Sequence, residues 1–583
     1  MATDRTRRAR RIAPSSLPAR RVASPRTLAV SSEQGPSVGG VQEEPLLEIQ
    51  DIQGNVLVGF NKDHQTLLFF EITEALAVKR WLRVIAPHIT TSDEALAFAR
   101  LFRAMRSRRG IESGGLIATW VNIAFTRTGI EKLTSSDEVE RFQSDAFKIG
   151  MAPRAGLLGD PTDAGGQPLG WVVGADGRCD VLLIVASDSA SELSAEVSRI
   201  KDEIEALQET VVEGAAARGL RLIFEQQGDD LEGDLAGHEH FGFKDGISQP
   251  GVRGRVSAGP HDFLTPRLID PQDPLAPLFA RPGQPLIWPG QFLLGEQYPV
   301  QNTFDPIRPQ ANRAPEPPWA ANGSFLVFRR LRQDVPAFWR FMHDEVARLV
   351  AKHPSLADLT PERLASLFVG RWPSGAPIMR EPLHDNPDLG DQKLAANNFQ
   401  FTNATNAVAL IPSAADPADT FPMAPADADG SRCPFASHIR KVNTRDDTTD
   451  QGGPERSLPK RVLRRGIPYG TQLETPLNPG NDRSDRGLLF LSYQASIESQ
   501  FEFLTTDWIN STINPRGYPG DVAAGHDPLI GQQADDGRRR TFTLRLDHAT
   551  FEEIALPTEW VITTGGGYFF APSITALKTV LAS

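Results

Sequence analysis

The alternation of apolar and polar positions divides the chain into short strands and amphipathic helices. Thr66–Ile72 reads as a strand, a helical pattern follows to about Arg103, and Thr119–Thr126 is a second strand. Residues 180–186 are a continuous apolar strand. Ser189-Ala-Ser-Glu192 has the spacing of a capping box and opens a helix to about Glu213, and Leu220–Glu225 closes the set. The order β-α-β-β-α-β is the ferredoxin-like unit. It can be read again with a large interruption. Phe325–Arg329 is a strand and Asp334 caps a helix to about Ala351. Arg461–Arg464 and Gly487–Gln494 are strands, Ser496–Asn510 is helical, and Trp560–Thr563 with Tyr568–Ala571 supplies the last strand. Between about 370 and 460 the chain is rich in Pro, Asp and Asn and too long for a connecting loop. The pattern predicts an α+β protein of two ferredoxin-like halves, with two sheets and a crevice where they meet. Insertions of this size near a domain interface usually build a site.

Charge and composition narrow the function. The 583 residues carry 61 basic and 73 acidic side chains, a net of −12. The first 30 hold eight Arg and one Asp, so the remainder carries −19. An acidic body lacks the clustered Lys and Arg that nucleic-acid phosphates require, which argues against nucleic acid as a partner. No apolar run approaches a membrane span. Cys179 and Cys433 are the only cysteines, which excludes a disulfide scaffold, a four-cysteine zinc site and haem attachment through Cys-x-x-Cys-His. Residues 1–44 form an Arg-, Ser- and Pro-rich stretch, expected to be a flexible solvated tail. Its Arg pairs are not followed by the apolar stretch of an export signal, so the expected location is cytoplasmic.

Three clusters carry candidate chemistry. In His238-Glu-His-Phe-Gly-Phe-Lys-Asp-Gly-Ile-Ser-Gln-Pro250, Gly242 and Gly246 flank Asp245. Flanking glycines can present one side chain to a cavity, and a tight turn in which Asp245 bonds its own backbone is the alternative. In Ser431-Arg-Cys-Pro-Phe-Ala-Ser-His-Ile-Arg-Lys441, His438 lies in the long insertion beside apolar residues. Imidazole is the commonest metal ligand, and a carboxylate partner would strengthen the assignment. In Arg464-Arg-Gly-Ile-Pro-Tyr-Gly470, adjacent arginines are normally one solvated and one paired. Leu488 and Phe490 on the next strand share one face, with core packing as the simplest role.

Taken in this order the clusters resemble the dye-decolourising peroxidases, haem enzymes, and most closely the larger members with fungal-type long insertions. The resemblance runs from about Leu47 to the C terminus. It includes Gly283-Gln-Pro-Leu-Ile-Trp-Pro-Gly-Gln291, Gly323-Ser-Phe-Leu-Val-Phe-Arg-Arg-Leu-Arg332, Gly370-Arg-Trp-Pro-Ser-Gly375 and Gly566-Gly-Tyr-Phe-Phe-Ala-Pro572. Residues 1–44 fall outside it. It implies an N-terminal ferredoxin-like domain at 45–250 and a C-terminal domain at 251–583 that holds one non-covalent haem b near the interface. By the same resemblance His438 is the proximal iron ligand and Asp527 its hydrogen-bond partner. Asp245 and Arg464 are the distal catalytic pair, and Leu488 and Phe490 wall the distal pocket. Some members carry Asn where Gly466 stands here, so distal work falls on Asp245 and Arg464. Tyr469 and Trp508 match positions that relatives use as surface radical sites, with packing as the alternative. The implied reaction takes hydrogen peroxide and oxidises organic donors such as dyes and phenolics by one-electron steps. The competing reading is a haem-binding or haem-handling protein without turnover, against which the complete Asp and Arg pair argues. The tail as a dock for an acidic partner or membrane surface is a third. Oligomeric state is unknown from sequence.

Overall fold

In the computed structural model, strands β1 (His64–Ile72), β2 (Thr119–Phe125), β3 (Val181–Ser187) and β4 (Leu220–Asp229) pair antiparallel in the order β2-β3-β1-β4. The second set is β5 (Ser324–Gln333), β6 (Leu463–Arg464), β7 (Ile467–Tyr469), β8 (Gly487–Gln494) and β9 (Val561–Ala571). It pairs as β7-β8-β5-β9, with β6 also on β8. With β6 and β7 counted as one interrupted strand, both sets run second, third, first, fourth, the ferredoxin-like order. The structure describes residues 43–109, 116–206, 219–298, 315, 317–403, 419–532, 539–547 and 549–583. The Arg-rich residues 1–42 and the expected end of the helix near Glu213 lie outside these.

The two sets do not form two sheets with a crevice between them. Phe570 of β9 pairs with Phe125 of β2, which makes one nine-stranded sheet. At its other end, Gly228 of β4 lies against β7, where a Cβ would sit 2.6 Å from Ile467 Cγ2. The inward residues explain the fusion. Strand alternation sends Leu67 and Phe69 to one face and Leu68 and Phe70 to the other. Phe69 packs against Phe328 and Phe569 of the second set, at ring distances of 5.0 and 6.4 Å. A crevice there would leave both apolar faces wet, and burial merges them into one core.

Helices cover the outer faces. α1 (Ala75–Ile85) buries Val78, Trp81 and Leu82 and is capped by Glu74, whose carboxylate accepts from Leu76 and Ala77 N–H. α3 (Ala190–Ala206) completes the outer face of the first half, α2 (Ser92–Arg109) buries Ala95 and Leu96 in the inner core, and α4 (Val335–Lys352), capped by Asp334, belongs to the second half. The stretch expected as helix from Ser496 winds as two wide π-type turns, Ile497–Glu502 and Leu504–Ile509. The hairpin Arg540–Arg545 with Phe551–Leu556 has no counterpart in the sequence reading. It packs with α4 and the insertion in a third core.

One buried ion pair joins the halves. Arg329 on β5 donates to both oxygens of Asp160, at 2.8 and 2.6 Å, and to Thr563 Oγ1 at 2.8 Å. Both side chains are almost wholly buried. Asp160→Ala leaves a buried guanidinium without its counter-charge, and chemical denaturation should show a loss of about 3–5 kcal/mol.

Candidate active site

A cavity of about 320 Å³ lies on the outer face of the second half's sheet. Leu331, Leu488, Phe490 and Val561 form its floor, and His438, Asp245 and Arg464 all line it. Leu488 and Phe490, two apart on β8, alternate with buried Leu489 and Leu491, so they face the cavity while their neighbours face the core.

The loop before α5 (His438–Val442) is pinned by charge. Asp427 accepts from Arg432 and Cys433 N–H and from Arg440, whose guanidinium also takes both oxygens of Asp447. Lys441, fully buried, donates to the carbonyls of Ser511, Asn514 and Gly525 at 2.7–2.8 Å. It thereby ties α5 to the loop that carries Asp527. Asp527 Oδ2 meets His438 Nδ1 at 2.8 Å, and Oδ1 accepts from the N–H groups of Leu529 and Ile530 at 3.0 Å each. Burial opposes both charges, yet each partner holds the other. The Asp527 carboxyl lies below its ordinary range and the His438 imidazole above its own. With Nδ1 committed, Nε2 is the nitrogen available to a metal.

Asp245 and Arg464, 219 residues apart, meet at 3.0 Å. Gln249 fixes the approach, bonding both the N–H and the C=O of Arg464, and Arg464 Nη2 donates to Ser248 O. Gly246 has φ +70°, a conformation that favours glycine, and its N–H reaches Asp245 Oδ1 at 2.6 Å. The turn and the presented side chain are therefore features of one loop. Burial works to raise the Asp245 carboxyl, but Arg464 and the Gly246 N–H hold it below the ordinary carboxylate range. Neither arginine of the pair is the solvated one, because Arg465 is turned inward onto the carbonyls of Asn55, Val56 and Leu57. At Gly466 a Cβ would come within 2.8 Å of Leu489 O, so this position does not readily take a side chain.

Three further arginines line the cavity, and the sequence reading had passed over them as site residues. Arg371 and Arg445 donate to backbone carbonyls and to Asn397 Oδ1, and Arg461 to Val442 O. Among the described residues Arg461 Nε is buried without a partner. Burial pushes Arg371 and Arg461 down to about 10, and burial with repulsion from those two pushes Arg445 down as well. Guanidiniums crowded with no carboxylate hydrogen-bonded to them among the described residues suit a ligand carrying negative groups. The only signal in the sequence was three arginines within or beside a Pro- and Asp-rich insertion.

The expected surface radical sites are not at the surface. Tyr469 is 2% exposed, packed under Arg330 with its hydroxyl toward Asp485. Trp508 is 0% exposed, its indole N–H on Asp450 at 2.9 Å. Both are large and mainly apolar, and the core takes them.

Comparison with known proteins follows the same outline. The DyP dimeric alpha+beta barrel domain matches residues 51–219, and the Dyp-type peroxidase C-terminal domain matches 389–515. Dye-decolorizing peroxidase msp1 of Mycetinis scorodonius is 34% identical, over 92% of this chain and 88% of its own. Multifunctional dye peroxidase DyP2 of an Amycolatopsis species is 25% identical, over 91% and 96%. An ancestral D-type dye decolorizing peroxidase superposes with a TM-score of 0.70 at 33% identity, covering 92% of this chain and all of that one. A dye-decolorizing peroxidase in complex with 2,6-dimethoxyphenol gives 0.66 at 28%, with the same coverage.

Lys441→Met removes the donor to three carbonyls, that of Gly525 buried and those of Ser511 and Asn514 half-buried. Thermal and chemical denaturation should show a loss of at least about 3 kcal/mol.

Proposed function

The chain belongs to the dye-decolourising peroxidases, haem enzymes that oxidise organic donors, and on that premise we propose how its own residues divide the work. The observation that carries the reading is that one cavity is lined both by an imidazole backed by a buried carboxylate and by an ionised Asp paired with an Arg. One non-covalent haem b per chain is the proposed cofactor. His438 Nε2 would hold its iron, and Arg371, Arg445 and Arg461 would meet its carboxylates. Haem, when bound, supplies the iron at which peroxide is cleaved and the oxidising equivalents are kept.

Asp527 fixes the tautomer of His438 and makes its Nε2 a stronger donor. Asp245, ionised under Arg464, takes the proton from one oxygen of hydrogen peroxide and returns it to the other, which leaves as water. Arg464 stabilises the negative charge that builds on the departing oxygen. Leu488 and Phe490 leave room for peroxide and exclude bulky molecules, so large donors react at the haem edge or through a side-chain relay. Phenolic donors are supported by the relative bound to 2,6-dimethoxyphenol. Tyr469 and Trp508 are buried, so a radical on either must pass to another group before it meets a large donor. A haem-handling role without turnover would need neither Asp245 nor Arg464. The cytoplasm is the proposed compartment, on the sequence of residues 1–44 alone. Among the described residues no helix is long and apolar enough to cross a membrane.

His438→Ala should lose haem or its five-coordinate ferric spectrum, and an unchanged spectrum at full haem content would remove the proximal assignment. Arg464→Leu should leave haem bound and slow peroxide cleavage by about 10²–10³-fold in stopped-flow absorption. Because Arg464 lowers the Asp245 carboxyl, its removal raises that group. The base form is then lost sooner as pH falls, and the acid limb of the peroxide reaction moves to higher pH.

A further inference from the structure

A second cavity, of about 310 Å³, opens beside the first half. Its floor includes Phe147, Phe569 and Tyr568, all buried, and its rim includes Ile149, Asp176 and Gly177, all exposed, so it reaches solvent. The wall between the two cavities is aromatic. The Tyr568 ring lies 6.3 Å from Phe501, and Phe501 lies 6.1 Å from Phe490. Both phenylalanines line the haem cavity.

Tyr568 differs from an ordinary core tyrosine in what its hydroxyl meets. Oη donates to Glu502 Oε1 at 2.8 Å, and Glu502 is held by Arg154, which donates to both of its oxygens at 2.6 Å. Burial and the neighbouring carboxylate keep the phenol protonated, its pKa pushed well above the ordinary range. A phenol in that state gives up an electron readily only if its proton has somewhere to go. A carboxylate at hydrogen-bond distance is such a place.

We propose that Tyr568 is a redox-active residue that relays single electrons from an aromatic donor in the second cavity to the haem cavity, with Glu502 holding its proton meanwhile. The step balances. Tyr568 Oη–H gives its proton to Glu502 and one electron to the haem site, whose oxidising equivalents come from peroxide. The Tyr568 radical takes one electron from the donor and recovers its proton from Glu502. The donor loses its own proton to water and leaves as a radical. Phe69, Phe147 and Phe569 suit an aromatic ring, and Arg127 and Lys148 on the same cavity suit a donor bearing oxygen or anionic substituents. The proposal rests on the peroxidase reading above, and it gives large donors a reaction site away from the wall of Leu488 and Phe490.

The test uses haem-loaded enzyme, mixed with peroxide and freeze-quenched for electron paramagnetic resonance, with 2,6-dimethoxyphenol as the donor in parallel assays. Wild type should give a tyrosyl signal that falls about tenfold in Tyr568→Phe. Haem content and the rate of the peroxide-induced Soret change should stay as in wild type, since Phe keeps the packing and loses only the hydroxyl. A tyrosyl signal undiminished in Tyr568→Phe overturns the relay. Ala175→Trp, which fills part of the second cavity, should raise KM for 2,6-dimethoxyphenol about tenfold and leave the radical signal intact. An unchanged KM in that variant overturns the donor seat. Wild type with no Soret change on adding peroxide would bring down the peroxidase reading itself. A normal Soret change without a Tyr568-dependent signal would bring down the relay alone.

Discussion

Charge held out of water is the constraint on which the site depends. Taking an ion into the interior costs several kcal/mol unless fixed partners offset it. Around the first cavity several buried groups have such partners. Arg440 lies between Asp427 and Asp447, Lys441 under three carbonyls, and His438 on Asp527. These partners hold the His438 imidazole in place, and Arg464 with the Gly246 N–H holds Asp245. Among the described residues Arg371, Arg445 and Arg461 hydrogen-bond to carbonyls and one amide and to no carboxylate, and the haem of this family brings carboxylates of its own.

The two halves share a strand order and differ in what covers them. In the first, α1 and α3 lie on the sheet and bury a continuous apolar face. In the second, the insertion carries α5 over the sheet, and the π-type turns bring Phe501, Leu504, Thr505 and Ile509 to the cavity's side. The π-type turns meet β8 through Phe501 against Phe490, and the cavity lies beside that contact. The loop from His238 to Pro250, which follows the first half, crosses to the second and supplies Asp245. The site is therefore complete only when distant segments are all in register with the sheet.

On the proposed reading such a pocket separates two tasks with different space requirements. Peroxide is small and needs a proton carrier and a cation, the parts proposed for Asp245 and Arg464. Dyes and phenolics are large and need a face or a relay. An aromatic wall shared by two cavities, with one phenol hydrogen-bonded to a carboxylate, suits the second task without widening the first.

Much of this was legible in the residues. Period and capping located β1, β3, β5, β8 and α4 to within a few positions, because alternation and Asp334 act locally. Leu488 and Phe490 were readable as one face for the same reason. The resemblance pointed to His438, Asp527, Asp245 and Arg464, and the structure brings all four to a single cavity wall or its immediate support. Other features depended on long-range packing. One sheet replaced the expected two because the inward faces of both halves could be dried only against each other. Tyr469 and Trp508 went to the core because burial of a large ring outweighs the value of exposing it. The crowding of Arg371, Arg445 and Arg461 came from segments up to 90 residues apart. Local pattern determines which face of an element is apolar; which elements share that face, and which charges are left facing each other, is decided only when the chain closes on itself.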